Sequence, residues 1–372
     1  MRRIYLDFNA STPVAPEVAE AMRPYLEGCH GNPSSAHWAG IPEHEALEKA
    51  RAQVAGLLGC RAQEIVFTSG GTESNNHALK GVFFAKGGAG CHIITTQVEH
   101  PAVLNPCHFL ERLGASVTYL PVDRYGRIDP QDVVHAVRPT TVLVSVMHAN
   151  NEVGTIQPVE AAARIARERG ILFHTDAAQT VGKTSVNVHD LGVDLLSVAG
   201  HKLHTPRGTG ALYIRNGVSI EPLIHGAGHE SGRRAGTEKV MLDVALGEAC
   251  DLARSWTGAG RLGELRDLFW NLLRNQFGED VVLNGHPAER LPNTLNVSFP
   301  GRNGTEILAR VPEIAASTGS ACQTGCTDIS PVLQAMQVPP HVAMGAIRFS
   351  LGRTTTREEI EEAAEILARA VR

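Results

Sequence analysis

Short apolar runs, each followed by a polar cluster and then by a stretch with helical spacing, recur through the middle of the chain. EIVFTSGGTESNN (residues 64–76), HIITTQVEHPAV (92–103), TVLVSVMHANNEVG (141–154), ILFHTDAAQT (171–180) and DLLSVAGHKLHTPRG (194–208) are five such units. Between them lie helical patterns such as VEAAARIARERG, whose Gly170 stands where helices commonly end. Strand and helix in alternation predict an α/β fold with a largely parallel sheet. Ligands of such sheets bind beyond the carboxyl ends of the strands, and each of the five polar clusters falls there.

The pattern changes after SWTGAGRLG (residues 255–263), the best candidate for a change of domain. A helical stretch, a strand at TLNVSFPG and a segment of small residues follow. The last helix is predicted in TTTREEIEEAAEILARAVR, where Thr356 and Glu359 have capping-box spacing and Ile360, Ala364, Leu367 and Val371 form one apolar stripe.

The 372 residues, 43% hydrophobic and 20% charged, suit one large domain or two of ordinary size. A net charge of -5 without any basic run gives no footprint for nucleic acid. The start MRRIYLDFNASTP places an aspartate where a signal peptide needs an apolar run, and TVLVSVM is far shorter than a membrane span. A cytoplasmic protein with no membrane contact is therefore expected. Its seven cysteines are an odd number, which argues against a disulfide framework. Cys29, Cys60, Cys91, Cys107 and Cys250 read as small, buried or partly buried hydrophobes. Cys322 and Cys326 are different: they share AASTGSACQTGC (315–326), a segment with almost no side-chain bulk. A disulfide, half a metal site and a reactive thiol on a mobile loop all suit such a pair.

Lysines number only six. Lys202 follows the apolar run VDLLSVAG directly, after Gly200 and His201, which puts it at a strand end. A lysine partly desolvated there could form a Schiff base; a surface-loop lysine is the plain alternative. Pyridoxal phosphate chemistry needs a carboxylate for the ring nitrogen, and Asp176 ends the strand ILFHTD, where it could equally cap a helix. It also needs a phosphate anchor. Gly70, Gly71 and Thr72 lie between a strand and a helix, where free N–H groups favour an anion.

TSGGTESNN, EHPAV, MHANNEVG, HTDAAQT, GHKLHTPRGTGALYIR, RRAGT, STGSAC and IRFSLGR come in the order and approximate spacing of the cysteine desulfurases, which the chain resembles from YLDFNAST to its last helix. The resemblance implies the type I, aminotransferase-like fold of pyridoxal-phosphate enzymes. It implies a large cofactor domain over residues 13–255, with a mostly parallel seven-stranded sheet, and a smaller α+β domain from residues 1–12 and 256–372. Carried over, it makes Lys202 the Schiff-base lysine, Asp176 the partner of the pyridine nitrogen, and His100 the residue stacked on the ring and able to relay a proton. Asn151 and Gln179 would approach the ring's substrate side and phenolic oxygen. Thr72, next to Gly71, and His201 would bind the phosphate, joined by Thr237 from the second subunit of a homodimer. Arg348 would hold the substrate carboxylate, which suits a planar bidentate donor. Cys322 would be the nucleophile, taking sulfur from L-cysteine, leaving L-alanine and passing the persulfide to an acceptor protein. Small neighbours would let its loop move.

Some positions depart from that family's pattern. Ala199 stands where a phosphate-binding serine is usual, and His204 and Thr205 replace a Tyr-Gly pair. The apolar residue before GHK, with PRG, PNTLNVSF and SPVLQAM, is also similar to selenocysteine lyases, which release selenium from selenocysteine on the same fold. Cys326 could receive sulfur from Cys322 or be incidental. Zinc would need three or four convergent ligands, and HGAGHE follows no zinc pattern. A non-catalytic thiol or metal scaffold and ordinary transamination are the remaining rivals. The sulfur's destination, whether iron–sulfur cluster assembly, thiolated tRNA, DNA phosphorothioation or thio-cofactors, is not written in any residue named here.

Overall fold

The computed structural model describes residues 3–318 and 329–371. It begins with a two-residue strand, β1 (Ile4–Tyr5). The central sheet is built from β2 (Ile65–Thr68), β3 (His92–Thr96), β4 (Ser116–Leu120), β5 (Thr141–Ser145), β6 (Leu172–Asp176), β7 (Leu195–Ala199) and β8 (Gly210–Ile214). Their order is β2-β8-β7-β6-β5-β3-β4, and only β8 runs against the rest. The largely parallel sheet expected from the repeating units is thus present, with the seven strands that the resemblance implies. Strands β2, β3, β7 and β8 are buried at every residue, which is why they read as continuous apolar runs rather than alternating ones.

Helices cover both faces of this sheet. Val18, Val54, Leu246 and Phe173 belong to the apolar core on one side, and Leu79, Val82, Val103 and Leu110 to the core on the other. The helix Val159–Glu168 ends as its sequence indicated: Gly170, at φ +67°, turns the chain in the left-handed region that glycine tolerates.

A second, smaller sheet lies apart from the first. It contains β9 (Val282–Asn284), β10 (Thr294–Ser298) and β12 (Ala346–Ser350), all antiparallel, while β1 pairs in parallel with β11 (Ile314–Ala315). Its core joins Ile4 and Leu6 to Phe269, Val297, Phe349 and Leu367, residues from both ends of the chain. The final helix, Arg357–Val371, opens on the expected capping box: Glu359 Oε2 accepts from Thr356 N (3.0 Å) and Thr356 Oγ1 accepts from Glu359 N (3.3 Å). Among the described cysteines, Cys91, Cys107 and Cys250 are buried and Cys60 is half-buried, but Cys29 is exposed. Cys29 follows the helix Pro16–Glu27 in an irregular segment that packs on neither core, so its expected burial does not hold. No helix among the described residues is long and apolar enough to cross a membrane.

Candidate active site

Three connections at the carboxyl edge of the central sheet, after β3, β6 and β7, carry titratable groups. Asp176 is the last residue of β6 and is buried. Its Oδ1 accepts from the Ala178 N–H (2.9 Å) and its Oδ2 from Asn75 Nδ2 (2.6 Å). Asn75 projects from the first turns of the helix Gly71–Ala85, so that helix is tied to the end of β6.

His100 follows β3 and caps the helix Pro101–Arg112, with its Nδ1 accepting from Ala102 N at 3.0 Å. An acceptor at Nδ1 places the proton of the neutral ring on Nε2. Burial lowers the His100 pKa; the Asp176 charge opposes this and the Lys202 charge reinforces it. The imidazole is therefore neutral near pH 7 and feels both groups.

Lys202 ends the short 3-10 turn Gly200–Lys202 that leaves β7, and it is half-buried. His201, beside it, is pushed down to about 4 by burial first and then by the charges of Lys202 and Arg207. Its carbonyl accepts from Thr12 N (3.0 Å) and Thr12 Oγ1 (2.9 Å), pinning the turn to the N-terminal segment.

The helix Gly71–Ala85 begins without a side-chain cap. Gly70 stands at φ +143° and Thr72 is exposed. A Cβ on Gly71 would sit 3.2 Å from the Ala199 Cβ, so β7 approaches this helix end closely. Uncapped N–H groups next to small side chains make a cradle that fits a phosphate. Ala199 contributes only a methyl group there. Glu73, in the same turn, is held by Arg234 Nε (2.9 Å), which anchors RRAGT to the helix start. Thr237, three residues further on, is exposed.

The opposite wall comes from the small sheet and the N-terminal segment. Arg348, on β12, is buried; its Nη1 donates to the Asn151 carbonyl (3.0 Å) and its Nη2 to Asp7 Oδ1 (2.8 Å). Its Nε is buried and has no partner among the described residues, leaving a donor for an incoming carboxylate. Gln179, one turn after Asp176, donates from Nε2 to the Asn9 carbonyl (3.1 Å) and accepts at Oε1 from Lys183 Nζ (2.8 Å).

Cys322 and Cys326 lie outside the described residues, but the chain on either side of them is anchored at this wall. Ser317 exchanges backbone bonds with Arg348, and Ser330 donates to the buried Glu152 (2.7 Å). Burial raises the Glu152 pKa, which the Ser330 hydroxyl and the Arg348 charge oppose.

Lys202, Asp176, His100, His201, Gly71 and Gln179 thus gather along one sheet edge, with Asn151 and Arg348 joined through the carbonyl of the former. Sequence reasoning missed Asp7, Asn9, Asn75, Glu152 and Lys183. Asn75 carried a signal, one helical turn after Gly71; the others did not.

A class-V aminotransferase family model matches residues 4–362. Cysteine desulfurase IscS of Dictyoglomus turgidum (strain DSM 6724 / Z-1310) is 50% identical, over 100% of this chain and 95% of that protein. Cysteine desulfurase IscS of Methanosarcina thermophila is 46% identical, over 98% of this chain and 91% of its own. Among solved structures, a NifS-like protein covers 99% of both chains with a TM-score of 0.92 at 39% identity. SspA in complex with cysteine covers 94% of this chain and 98% of its own, with a TM-score of 0.84 at 39% identity.

Proposed function

The chain belongs to the cysteine desulfurases of the class-V aminotransferase family, and we propose that Lys202, His100 and Cys322 carry out its reaction. It is a pyridoxal-phosphate-dependent enzyme that converts L-cysteine to L-alanine and hands the sulfur on as a persulfide. The convergence of Asp176, His100 and Lys202 at the ends of β6, β3 and β7 is the observation that best supports this assignment of roles.

Pyridoxal phosphate, when bound, supplies a protonated ring that draws electrons away from the substrate's Cα. Lys202 would hold it covalently, Asp176 at the ring nitrogen, and Gln179 and Asn151 on the substrate side. The first-turn N–H groups after Gly70, with Thr72 and His201, would hold the phosphate, and Thr237 would reach it from a second copy of the chain. The exposure of Thr237 and the tether from Arg234 to Glu73 fit that placement.

The other tasks fall to the protein's own groups. Arg348 would orient substrate through its unpaired Nε, gripping the carboxylate. The Lys202 amine would take the Cα proton and later return it, and the His100 Nε2–H, fixed by the bond at Nδ1, would give a proton at the substrate. The Cys322 thiolate would then attack the substrate sulfur. One S–S bond forms, the Cβ–S bond breaks, and its electron pair stays with Cβ, which takes a proton to become the methyl group of alanine. A free thiol is only about 3% ionised at pH 7, so a proton acceptor must serve Cys322. The anchors at Ser317 and Ser330 would keep both ends of its segment fixed while the thiol carries sulfur to an acceptor protein.

Lys202→Ala tests the centre of this reading. The purified variant should lose the visible absorption of the bound cofactor and at least about 10³-fold in alanine formation from cysteine. Retained absorption and turnover would move the covalent role to another lysine. Sedimentation of the wild type should show a dimer.

A further inference from the structure

Lys183 lies outside every role assigned so far, yet its amine is bonded inside the molecule. Its side chain is buried, and its Nζ donates to Asn9 Oδ1 (3.0 Å) and Gln179 Oε1 (2.8 Å). Burial holds its pKa well below the usual lysine range, and the charges of Lys202 and Arg348 lower it further. A neutral amine has two N–H donors, and Lys183 has two oxygen acceptors for them. The ammonium alternative would put an extra charge in apolar surroundings beside two cations.

Each acceptor transmits this constraint. A donor at Oε1 decides which way the Gln179 amide faces, and its Nε2 then donates to the Asn9 carbonyl. Asn9 is 2% exposed, and every polar atom in it is engaged. Its N–H donates to Ser350 Oγ (2.9 Å), its Oδ1 also accepts from Asn293 Nδ2 (3.0 Å), and its Nδ2 donates to Thr294 Oγ1 (2.8 Å) and the Asn151 carbonyl (3.3 Å). That carbonyl is the one Arg348 grips. Lys183 also lines a narrow cavity together with Lys202, Phe8, Thr12 and His204.

We propose that Lys183 is a positioning residue for the desulfurase reaction: its amine fixes the Gln179 amide and, through Asn9, sets the distance between the central-sheet wall carrying Lys202 and the small-sheet wall carrying Arg348. The proposal rests on the placement of Gln179 beside the cofactor. Without the amine, both Gln179 Oε1 and Asn9 Oδ1 lose a donor, the amide can turn over, and the two walls are no longer fixed to each other. Buried networks of this kind act as a unit, so the effect should be coupled rather than additive.

The test uses the cofactor-loaded dimer in a double-mutant cycle of Lys183→Met and Gln179→Leu. Methionine keeps an unbranched chain one atom shorter and removes the donors without burying a new hydrogen-bonding group. Lys183→Met should shift the cofactor's visible band, weaken cofactor retention on dialysis about 10-fold, and lower kcat/KM for cysteine about 10-fold. In the Gln179→Leu background the same change should cost clearly less than about 10-fold, the remainder passing through Asn9. An unchanged band and unchanged retention in Lys183→Met overturns the proposal, as does an equal loss in both backgrounds, since that is what a purely structural lysine gives. If Lys183→Met does not fold, Asn9→Ala carries the same measurement, and an unshifted band there is equally fatal. Gln179→Leu alone keeps the two readings apart. If it leaves the band unchanged, the placement of Gln179 fails; if it shifts the band while Lys183→Met does not, only the role of Lys183 fails.

Discussion

The two walls of the site are held in place by different means. On the central-sheet wall, short-range bonds orient two of the groups: Asp176 accepts from the N–H of Ala178 and His100 from the N–H of Ala102, each two residues away, with Asn75 as a second, distant partner of Asp176. On the other wall the bonds span the chain. Arg348 meets Asp7 across 341 positions, Asn293 meets Asn9 across 284, and Lys183 meets Asn9 across 174. Local fixing gives a group such as His100 its orientation as soon as its strand and helix form. Long-range fixing exists only once the small sheet has closed against the large one, and so it registers substrate against cofactor.

Substitutions on the two walls should therefore differ in kind. The largest effect after Lys202→Ala belongs to the locally fixed wall. Asp176→Asn keeps the shape and the Ala178 bond but removes the charge, and should cut kcat by roughly 10²–10³-fold with little change in the unfolding midpoint. A loss confined to KM would contradict the role given to the carboxylate.

Arg348→Lys tests the long-range wall. A lysine cannot bridge the Asn151 carbonyl, Asp7 and a substrate carboxylate with one planar fork. KM for cysteine should rise about 10–100-fold while the cofactor's absorption stays as in the wild type. A loss of absorption would mean that Arg348 serves the cofactor rather than the substrate.

A smaller effect should appear in the stability of the central sheet itself. His174 lies in β6 with its ring between Ser145 Oγ (2.8 Å) and Ser197 Oγ (3.0 Å), and burial lowers its pKa to about 4. His148, after β5, is likewise lowered to about 4 by burial. Unfolded chains bind these protons near pH 6.5 and the folded chain only near pH 4, so acid favours unfolding across that window. Each ring should remove up to about 1.4 kcal/mol of stability per pH unit there. Urea midpoints from pH 7 to pH 4.5 check the sign, and a midpoint that rises on acidification would refute it.

The contrast between the walls also sets how far the sequence could be read. Strand ends carrying Asp176 and Lys202 and the box at Thr356 rest on spacings of a few residues, and periodicity exposes such spacings; His100 came only from the family resemblance, and its cap from the structure. Arg348 was reached only through family resemblance. Lys183 stands in VGKTS, where nothing local separates a buried amine from a solvated one; only the closing of Asn9 over it makes the difference. Asp7 and Asn9 lay in a quoted motif, YLDFNAST, without a role, because their partners lie far along the chain, between Asn151 and Ser350. Cys29 went astray for the opposite reason: its segment makes no periodic pattern that would say whether it packs.

The central claim is that sulfur leaves the substrate by attack of Cys322, and alanine formation from L-cysteine by Cys322→Ala tests it most directly. The variant should keep the cofactor's visible band and form essentially no alanine from cysteine, whatever it does with selenocysteine. Alanine released from cysteine at the wild-type rate would contradict the account and remove Cys322 from the mechanism.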